Sequence, residues 1–210
     1  MAIAAKPPES GKTRLAGMLT PAARAWLCRA MADHALTVAT QVVCSVRCLL
    51  VSASPDLHEL ARSHGVECLS DEGEGLNAAL AMASCHARSR GATALLTLSA
   101  DLPWLGQGDL RAMLATDADV VIAADRYGTG TNALLLRPPG LIAYSHGEAS
   151  LFRHRAESRR IGARLVEIYR PGLACDLDTP ADLAPPFLGR FLRLHPRGTL
   201  HRPLYRKDCI

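Results

Sequence analysis

Three aspartates stand at positions from which carboxylates could share a metal ion. Asp176 and Asp178 flank Leu177, so in an extended segment their side chains leave the same face, about 7 Å apart. Asp101 follows an apolar, strand-like run elsewhere in the chain. Carboxylates that converge beside cations repel one another unless a metal lies among them, and oxygen ligands next to phosphate favour magnesium. An alternative stays open, because aspartate also suits a helix entry or a turn.

A cationic loop follows the first apolar segment of the chain. It carries Lys6, Lys12 and Arg14. The run Gly11-Lys12-Thr13 matches only the end of a Walker loop, which also requires a glycine where this chain has Lys6. The loop is therefore not a P-loop, although cations after a first strand suit a polyphosphate. A solvated basic loop is the alternative interpretation, since surface cations are common.

The run Gly128-Thr129-Gly130-Thr131-Asn132 lies between two apolar, strand-like segments. Together with Ala133 it has the form of the dinucleotide-binding fingerprint, but that motif must open a helix. Pro138 and Pro139 follow too soon for a helix, because a residue before proline is pushed out of the α region. We therefore expect a strand–loop–strand unit whose backbone N–H groups cup an anion. A glycine hairpin without a ligand is the alternative.

A second anion-binding site is predicted further along the chain. Gly147 and Ser150 stand directly before a helical segment, 151–161. The N-terminus of a helix presents unpaired backbone N–H groups and a partial positive charge. These two residues are therefore candidates for contact with an anionic substrate.

The elements that must position these residues alternate between strand and helix, which is the signature of an α/β fold with a mostly parallel sheet and helices on both faces. Ligands of such sheets bind beyond the carboxyl ends of the strands, where the candidate residues stand. The predicted strands cover 1–5, 46–53, 66–69, 93–99, 119–124, 133–136 and 164–169. The predicted helices cover 21–40, 55–64, 77–90 and 151–161, with a last helix that begins after the cap residue Thr179.

The length, the net charge and the cysteines of the chain limit the classes of function that it can have. The chain has 210 residues, which suits one domain, and a net charge of +4, which suits a small anionic substrate but is too weak to argue for nucleic acid. No apolar run is long enough to span a membrane and no signal peptide is evident, so we expect a cytoplasmic protein. The seven cysteines include no Cys-x-x-Cys pair, and we expect reduced, mostly buried thiols.

Six motifs fall in an order that resembles the 2-phospho-L-lactate guanylyltransferase family of coenzyme F420 biosynthesis, whose relatives use phosphoenolpyruvate or 3-phospho-D-glycerate. The resemblance covers roughly residues 2–184, and the Gly-Thr-Gly-Thr-Asn and Asp-x-Asp-Thr-Pro runs are its most specific parts. The motifs are Lys6-Pro7 with 11–16, Glu74-Gly75-Leu76-Asn77, Ala100-Asp101-Leu102-Pro103, 128–134, Gly147 with Ser150 and His154, and 176–183.

The resemblance implies a single-domain, Rossmann-like nucleotidyltransferase fold of the glycosyltransferase-A type. It implies that GMP passes from GTP to the phosphate of a three-carbon phospho-acid and that pyrophosphate is released. The site residues that it implies fall into three groups: Asp101, Asp176 and Asp178 hold Mg²⁺; Thr131, Gly147 and Ser150 bind the acid; Lys6, Lys12, Arg14 and Asn77 face GTP. It further implies a downstream transferase for a labile product, possible homodimers, and no nucleic-acid or membrane partner.

Two departures from the family pattern and two rival functions accompany this interpretation. His146 stands where the family tends to have phenylalanine, and residues 185–210 form a basic extension beyond the domain 1–184. The first rival is another nucleotidyltransferase of the same fold, of the molybdenum-cofactor or sugar cytidylyltransferase type. The second is a nucleotide-binding assembly protein without catalysis, against which the presence of all three aspartates argues. His154 is expected to be structural.

Overall fold

The computed structural model describes residues 1–71 and 74–183, and within them the chain forms one seven-stranded sheet. The strands follow each other across the sheet in the order β3-β2-β1-β4-β6-β5-β7. Their bounds are β1 Ala2–Ala4, β2 Leu49–Ser52, β3 Glu67–Ser70, β4 Leu95–Ser99, β5 Val120–Ala124, β6 Thr131–Leu136 and β7 Leu165–Ile168.

One strand runs against the others. The pairs β1–β2, β2–β3, β1–β4 and β5–β7 are parallel, whereas β6 is antiparallel to both β4 and β5. The sheet is therefore mostly parallel, as predicted. Because β6 is reversed, its first residues lie at the edge where the other strands have their carboxyl ends. Thr131 thus joins the same edge as Asp101, which follows β4.

Six helices cover the two faces of the sheet within the described residues: α1 Pro21–Val42, α2 Pro55–Ser63, α3 Leu76–Ser89, α4 Gln107–Ala115, α5 Ser150–Arg160 and α6 Pro171–Ala174. Thr20 caps α1 as predicted, since its side-chain oxygen accepts a hydrogen bond from Ala23 N at 3.2 Å. Short 3-10 turns lie at Pro8–Ser10, Thr13–Leu15, Ser45–Arg47 and Pro180–Leu183.

The hydrophobic core has one layer on each face of the sheet, because successive strand side chains point to opposite faces. Ile3 and Leu50 pack with apolar residues of α1, α2 and α4. Ala2 and Leu49, their immediate neighbours in the chain, pack with α3 on the other face. Helix α5 closes that second face over β5 and β6 through Leu151. The fold class that the alternating pattern predicted is confirmed.

Several local predictions need correction. No helix was predicted at α4 or α6. The strand expected over 46–53 begins only at Leu49, and Val46 lies in a 3-10 turn with 76 % of its side chain exposed. The helix expected after Thr179 is a 3-10 turn as far as Leu183, and the residues beyond it lie outside the described part.

The cysteines and the helices agree in part with the sequence analysis. Six cysteines lie in the described residues and all are free, but only Cys48 is fully buried, so the expectation of mostly buried thiols is wrong. No helix in the described ranges is long and apolar enough to cross a bilayer.

Candidate active site

A cleft of about 630 Å³ opens at the carboxyl edge of the sheet. It runs along the ends of β1, β2, β3 and β4, as expected for a ligand site of a parallel sheet. Five of the predicted site residues line it: Lys6, Lys12, Arg14, Asp101 and Asp178. The structure therefore brings the cationic loop and two of the aspartates together in one cavity.

Lys12 lies at the centre of the charged part of this cleft. Its ammonium is 2.6 Å from Asp101 Oδ2 and 3.5 Å from Asp178 Oδ1, and its side chain is only 7 % exposed. Its backbone has a φ of 53°, in the left-handed region that side chains rarely adopt, at a cost of roughly 1–3 kcal/mol. A strained backbone thus places a buried ammonium between two carboxylates.

Lys12 and Asp101 each stabilise the ionised form of the other. Burial lowers the pKa of Lys12, but the neighbouring carboxylates, Asp101 first, outweigh burial and hold the pKa above its ordinary value. Burial likewise raises the pKa of Asp101, and the ammonium of Lys12 outweighs it and holds the pKa below its usual range. Arg14 adds a second cation, with Nη1 at 2.5 Å from Asp178 Oδ2. Lys12 and Asp101 are therefore both ionised at neutral pH.

The segment that carries Asp176 and Asp178 is attached to the end of β4. Leu177 N donates to Asp101 O at 3.0 Å, and the Leu177 side chain is buried. This backbone bond holds the three aspartates near one another. The first turn after the segment is held by Asp182, whose Oδ2 accepts from Asp178 N at 2.9 Å and from Thr179 N at 2.6 Å.

Asp176 differs from the other two aspartates in that it forms no ion pair with any residue that the structure describes. Its Oδ1 is buried, and no described residue gives that atom a hydrogen bond. The amide of Asn132 donates to Leu173 O at 2.9 Å and also opposes the rise in the pKa of Asp176. Burial, and after it the charge of Asp101, raises the pKa of Asp176 above its ordinary value. A buried carboxylate oxygen without a partner is a free ligand position for a cation.

The Gly-Thr run forms a turn between β5 and β6, not the start of a helix, as predicted. Asp125 closes the turn, since Oδ1 accepts from Thr129 N at 2.8 Å and Oδ2 accepts from Thr129 Oγ1 at 3.1 Å. Gly128 has a φ of +67°, whereas Gly130 is needed for space: a Cβ there would lie 2.8 Å from Asp125 Oδ2. Gly128 is thus required for its backbone conformation, and Gly130 is required to leave room for the Asp125 side chain.

The predicted acid-binding residues lie together around a buried histidine. His154 on α5 is 0 % exposed; its Nε2 accepts from Ser145 N at 3.0 Å, so its Nδ1 carries the hydrogen and donates to Thr131 Oγ1 at 3.0 Å. The Thr131 hydroxyl therefore faces the interior. Gly147 bends the chain with a φ of +114°, and its carbonyl accepts from Ser150 N at 3.2 Å, in the turn that enters α5.

Asn77, which the resemblance implies to face GTP, uses both ends of its amide to bond the backbone of His146. Its Nδ2 donates to His146 O at 3.2 Å and its Oδ1 accepts from His146 N at 2.7 Å. Both ends of the amide thus hold the loop before Gly147 against the start of α3. In this arrangement Asn77 positions the acid-side loop.

His146 connects the two halves of the site. It lines the cleft, and its Nδ1 donates to Thr131 O at 3.2 Å. Its ring lies edge-on to that of His154 at 5.1 Å. Burial lowers its pKa, so the ring is neutral at pH 7. The sequence analysis noted this residue only as a departure from the family pattern.

Other residues of the site were not assigned a role from the sequence. Asp125, Asn132, Arg126 and Asp182 hold the loops in place. Arg126 and Asp182 form a largely buried ion pair that joins the β5–β6 turn to the end of the aspartate segment. An acidic residue in a helix entry was visible in the sequence, but its partner 56 positions away was not.

The donor set suits a hard divalent cation, although the described residues contain no group of three or more His, Cys, Asp or Glu that is already arranged to hold a metal. Asp176 Oδ1 is a free oxygen ligand, whereas Asp101 and Asp178 are engaged by Lys12 and Arg14. Carboxylate oxygens are the ligands that Mg²⁺ prefers.

Comparison with known proteins identifies the family and several relatives of this chain. Residues 1–203 match the family model described as guanylyl transferase CofC like. The chain is 42 % identical to the phosphoenolpyruvate guanylyltransferase of Rubrobacter xylanophilus, over 82 % of this chain and 85 % of the relative. It is 39 % identical to the protein of the same name from Sphaerobacter thermophilus, over 83 % and 85 %. The 2-phospho-L-lactate guanylyltransferase of Methanothermobacter thermautotrophicus is 36 % identical, over 93 % and 84 %.

Solved structures with low sequence identity share the fold. A nucleotidyl transferase from Methanothermobacter superposes with a TM-score of 0.58 at 20 % identity, covering 92 % of this chain and 97 % of the other. A cytidylyltransferase from Leptospira borgpetersenii gives 0.57 at 12 % identity, with 98 % of both chains covered. The sheet is therefore that of the nucleotidyltransferases. With the family model matched over nearly the whole chain and relatives above 30 % identity, the protein belongs to the CofC-like family of guanylyl transferases.

Proposed function

We propose that the protein transfers GMP from GTP to the phosphate of a three-carbon phospho-acid and releases pyrophosphate, in coenzyme F420 biosynthesis. The observation that carries this proposal is the charged cluster of Lys12, Asp101 and Asp178 in a cleft at the carboxyl edge of a nucleotidyltransferase sheet. That cluster combines cations for a triphosphate with oxygen ligands for its metal.

The nucleotide occupies the cleft in this proposal. Lys6, Lys12 and Arg14 bind the GTP phosphates, which offer the two paired cations new anionic partners. With Lys12 and Arg14 paired to phosphate, Asp101 and Asp178 would be the carboxylates that hold Mg²⁺ together with the unpartnered oxygen of Asp176. When bound, Mg²⁺ supplies charge neutralisation at the phosphates.

The acid occupies the neighbouring loops. Thr131, Gly147 and Ser150 bind it chiefly through backbone N–H groups, because the Thr131 hydroxyl is already used by His154. Asn77 supports this part of the site by holding the backbone of His146. A substrate phosphate oxygen is already a nucleophile, so no catalytic base is required. The chain contributes alignment and electrostatic neutralisation.

Among the three acids, phosphoenolpyruvate is our first candidate acceptor. The cited relatives named for phosphoenolpyruvate are 39 and 42 % identical to this chain, and the one named for 2-phospho-L-lactate is 36 % identical. The residues 1–184 form the catalytic unit in this proposal. A downstream transferase would consume the product if that product is labile.

The test is mass spectrometry of the products formed from GTP and Mg²⁺ with phosphoenolpyruvate, 2-phospho-L-lactate or 3-phospho-D-glycerate. Each reaction is coupled to a transferase that traps a labile product. We expect a guanylylated acid and pyrophosphate with phosphoenolpyruvate. Release of pyrophosphate only with CTP, or only with a sugar phosphate, would favour the rival nucleotidyltransferase function. GTP binding without turnover of any acid would favour an assembly protein.

A further inference from the structure

The side chain of Arg153 reaches from α5 back over the loop that leads into that helix. Its Nε donates to Ser145 O at 3.2 Å, and its backbone N donates to Ala149 O at 3.2 Å. Side chains on a helix point toward the helix N-terminus, which accounts for this direction. The guanidinium is therefore held over the loop that contains Gly147, one of the residues that the proposed function assigns to the acid.

The distance from this guanidinium to Gly147 suits a shared anion. A Cβ on Gly147 would lie 3.6 Å from Arg153 Nη2. Since the Cβ and the backbone N of one residue are about 2.5 Å apart, Gly147 N and Nη2 are separated by at most about 6 Å. Two hydrogen bonds of about 2.9 Å each, made to one acceptor, span nearly this distance. One carboxylate can therefore accept from both groups.

The guanidinium has further donors for such an anion. It carries five N–H groups, and the bond to Ser145 O uses the one on Nε. Arg153 is exposed and forms no ion pair with any residue that the structure describes, Glu148 of the same loop included, whereas Arg155 on the same helix pairs with Glu167 at 2.6 Å. Because one end of the guanidinium is already anchored, less side-chain entropy is lost when it binds.

Arg153 supplies the positive charge of this part of the chain. It is the one lysine or arginine between Ser145 and His154. Burial lowers the pKa of His146 and that of His154, so both rings are neutral at pH 7. The charge of Arg153 contributes to the lowered pKa of His154, the ring that bonds the Thr131 hydroxyl. The guanidinium therefore lies close to the groups proposed to bind the acid.

We propose that Arg153 binds the carboxylate of the phospho-acid together with Gly147 N–H. This inference rests on the proposed function, in which the phosphate of the acid is the group that receives GMP. Charge-assisted hydrogen bonds from arginine to a carboxylate are roughly twice as strong as hydrogen bonds between neutral groups. All three candidate acids carry the carboxylate, so Arg153 recognises the class of acid and does not choose among its members.

The first experiment compares Arg153→Gln with Arg159→Gln in steady-state pyrophosphate release from GTP, Mg²⁺ and phosphoenolpyruvate. We expect Arg153→Gln to raise the KM for phosphoenolpyruvate at least about ten-fold, because a hydrogen-bonded charge pair is lost. The KM for GTP should stay nearly unchanged. Arg159 is exposed on the same helix but lies about 240° further around its axis, so Arg159→Gln removes the same charge and should change neither constant.

The second experiment separates carboxylate binding from support of the loop. The carboxamide of phosphoenolpyruvate keeps the phosphate and the shape of the acid but lacks the carboxylate charge. We expect the unaltered protein to prefer the acid to the carboxamide at least about ten-fold in kcat/KM, and Arg153→Gln to bring this ratio close to one. If another of the three acids proves to be the acceptor, that acid and its carboxamide form the pair.

The outcomes separate this proposal from the proposed function. If Arg153→Gln impairs the acid and the carboxamide alike, Arg153 only anchors the loop through Ser145 O, and the proposal is wrong. Equal losses in Arg153→Gln and Arg159→Gln would show a general effect of surface charge and would also overturn it. If transfer proceeds in Arg153→Gln with an unchanged KM for the acid, guanylyl transfer stands and this proposal falls. If the unaltered protein transfers GMP to none of the three acids, the proposed function fails, and this proposal fails with it.

Discussion

Asp176 is the aspartate of the site whose negative charge is least compensated by the described residues. It is partly buried near Asp101 and, among the described residues, forms no ion pair of the kind that Lys12 and Arg14 give the other two aspartates. Its raised pKa shows that ionisation costs free energy in the folded state. Groups that oppose stability in this way are concentrated at functional sites. In the proposed function, Asp176 is the ligand position whose buried oxygen has no partner before the metal binds.

Asp176→Asn should separate activity from stability. The amide removes the repulsion by Asp101, so we expect the melting temperature without metal to stay equal or rise. Guanylyl transfer should fall at least about 100-fold, because a metal ligand is lost. The measurements are a thermal melt and a steady-state rate. Asp178→Asn is the comparison, since it removes an ion pair and should gain no stability. A near-normal rate in Asp176→Asn would remove it from the metal site.

His154 couples stability to pH. Burial, helped by His146 and Arg153, lowers its pKa from 6.5 to about 4. Between pH 6.5 and about 4, His154 is therefore protonated in the unfolded chain but neutral in the folded chain. The free energy of unfolding falls as the pH falls through this window. The loss is about 2 kcal/mol by about pH 5. His146, whose pKa is also lowered, acts in the same direction.

Urea unfolding at about pH 7 and about pH 5 measures this effect. His154→Gln keeps an acceptor for Ser145 N but removes the titrating ring, so its stability should depend less on pH. The same pH dependence in both proteins would show that His154 is not the group responsible.

The reversed strand β6 is the element that positions the loop proposed to bind the acid. Because it runs against β4 and β5, it delivers the Gly-Thr turn to the edge where the aspartates lie. Helix α5 then packs over the same turn, and Leu151 N donates to Thr129 O at 3.1 Å. The loops that the proposal assigns to the acid are thus held by one strand and one helix entry.

The tightness of this turn can be tested with two glycine substitutions. Gly130→Ala brings a Cβ within 2.8 Å of Asp125 Oδ2 and should displace the side chain that closes the turn. We expect acid affinity to fall about ten-fold, equal to about 1.4 kcal/mol, with little change for GTP. Gly128→Asn is the matched control, since asparagine tolerates a positive φ and nothing lies within 4 Å of the new Cβ. A loss of GTP affinity with unchanged acid affinity would assign the turn to the nucleotide.

In the whole molecule, the site is held together by contacts between segments that are distant in the chain. The clearest is the ion pair of Arg126 with Asp182, in which Asp182 is 3 % exposed and Arg126 is 19 % exposed. Arg126 N also donates to Ala174 O at 2.8 Å. These contacts connect the β5–β6 turn to the aspartate segment.

A double-mutant cycle measures this coupling. Arg126→Met and Asp182→Asn should each destabilise the protein by about 3 kcal/mol, because each leaves a buried group without its partner. The double variant should be more stable than the sum of the single effects predicts, by at least about 1 kcal/mol. Urea unfolding of the four proteins gives these values. Strictly additive effects would mean that the pair contributes no coupling.

The basic extension provides a last test at this level. If residues 1–184 form the catalytic unit, deletion of residues 190–210 should leave the transfer rate per folded molecule nearly unchanged. The family match continues to residue 203, which is beyond the proposed catalytic unit. The deletion therefore tests whether the end of the matched region contributes to transfer. A large rise in the KM for GTP after deletion would place arginines of the extension in the site.

Much of the fold was predictable because its signals are local. Apolar runs, the Thr20–Pro21 helix start and the prolines after β6 act within a few residues, and they indicated the alternating elements and a strand after the Gly-Thr turn. The helix α4 was missed, and so was the late start of β2. The rule that ligands bind at the carboxyl edge of a parallel sheet then placed most candidate residues in one region.

Tertiary structure decided the contacts among those residues. The strand order, the reversal of β6, the pairing of Lys12 with Asp101 and the use of Asn77 to hold His146 all join positions that are far apart in the chain. Residue type and spacing show that a lysine and an aspartate are present, but not that they meet. Which groups pair depends on the packing of the whole sheet and its helices, since side-chain partners are settled by distance and burial in the folded chain.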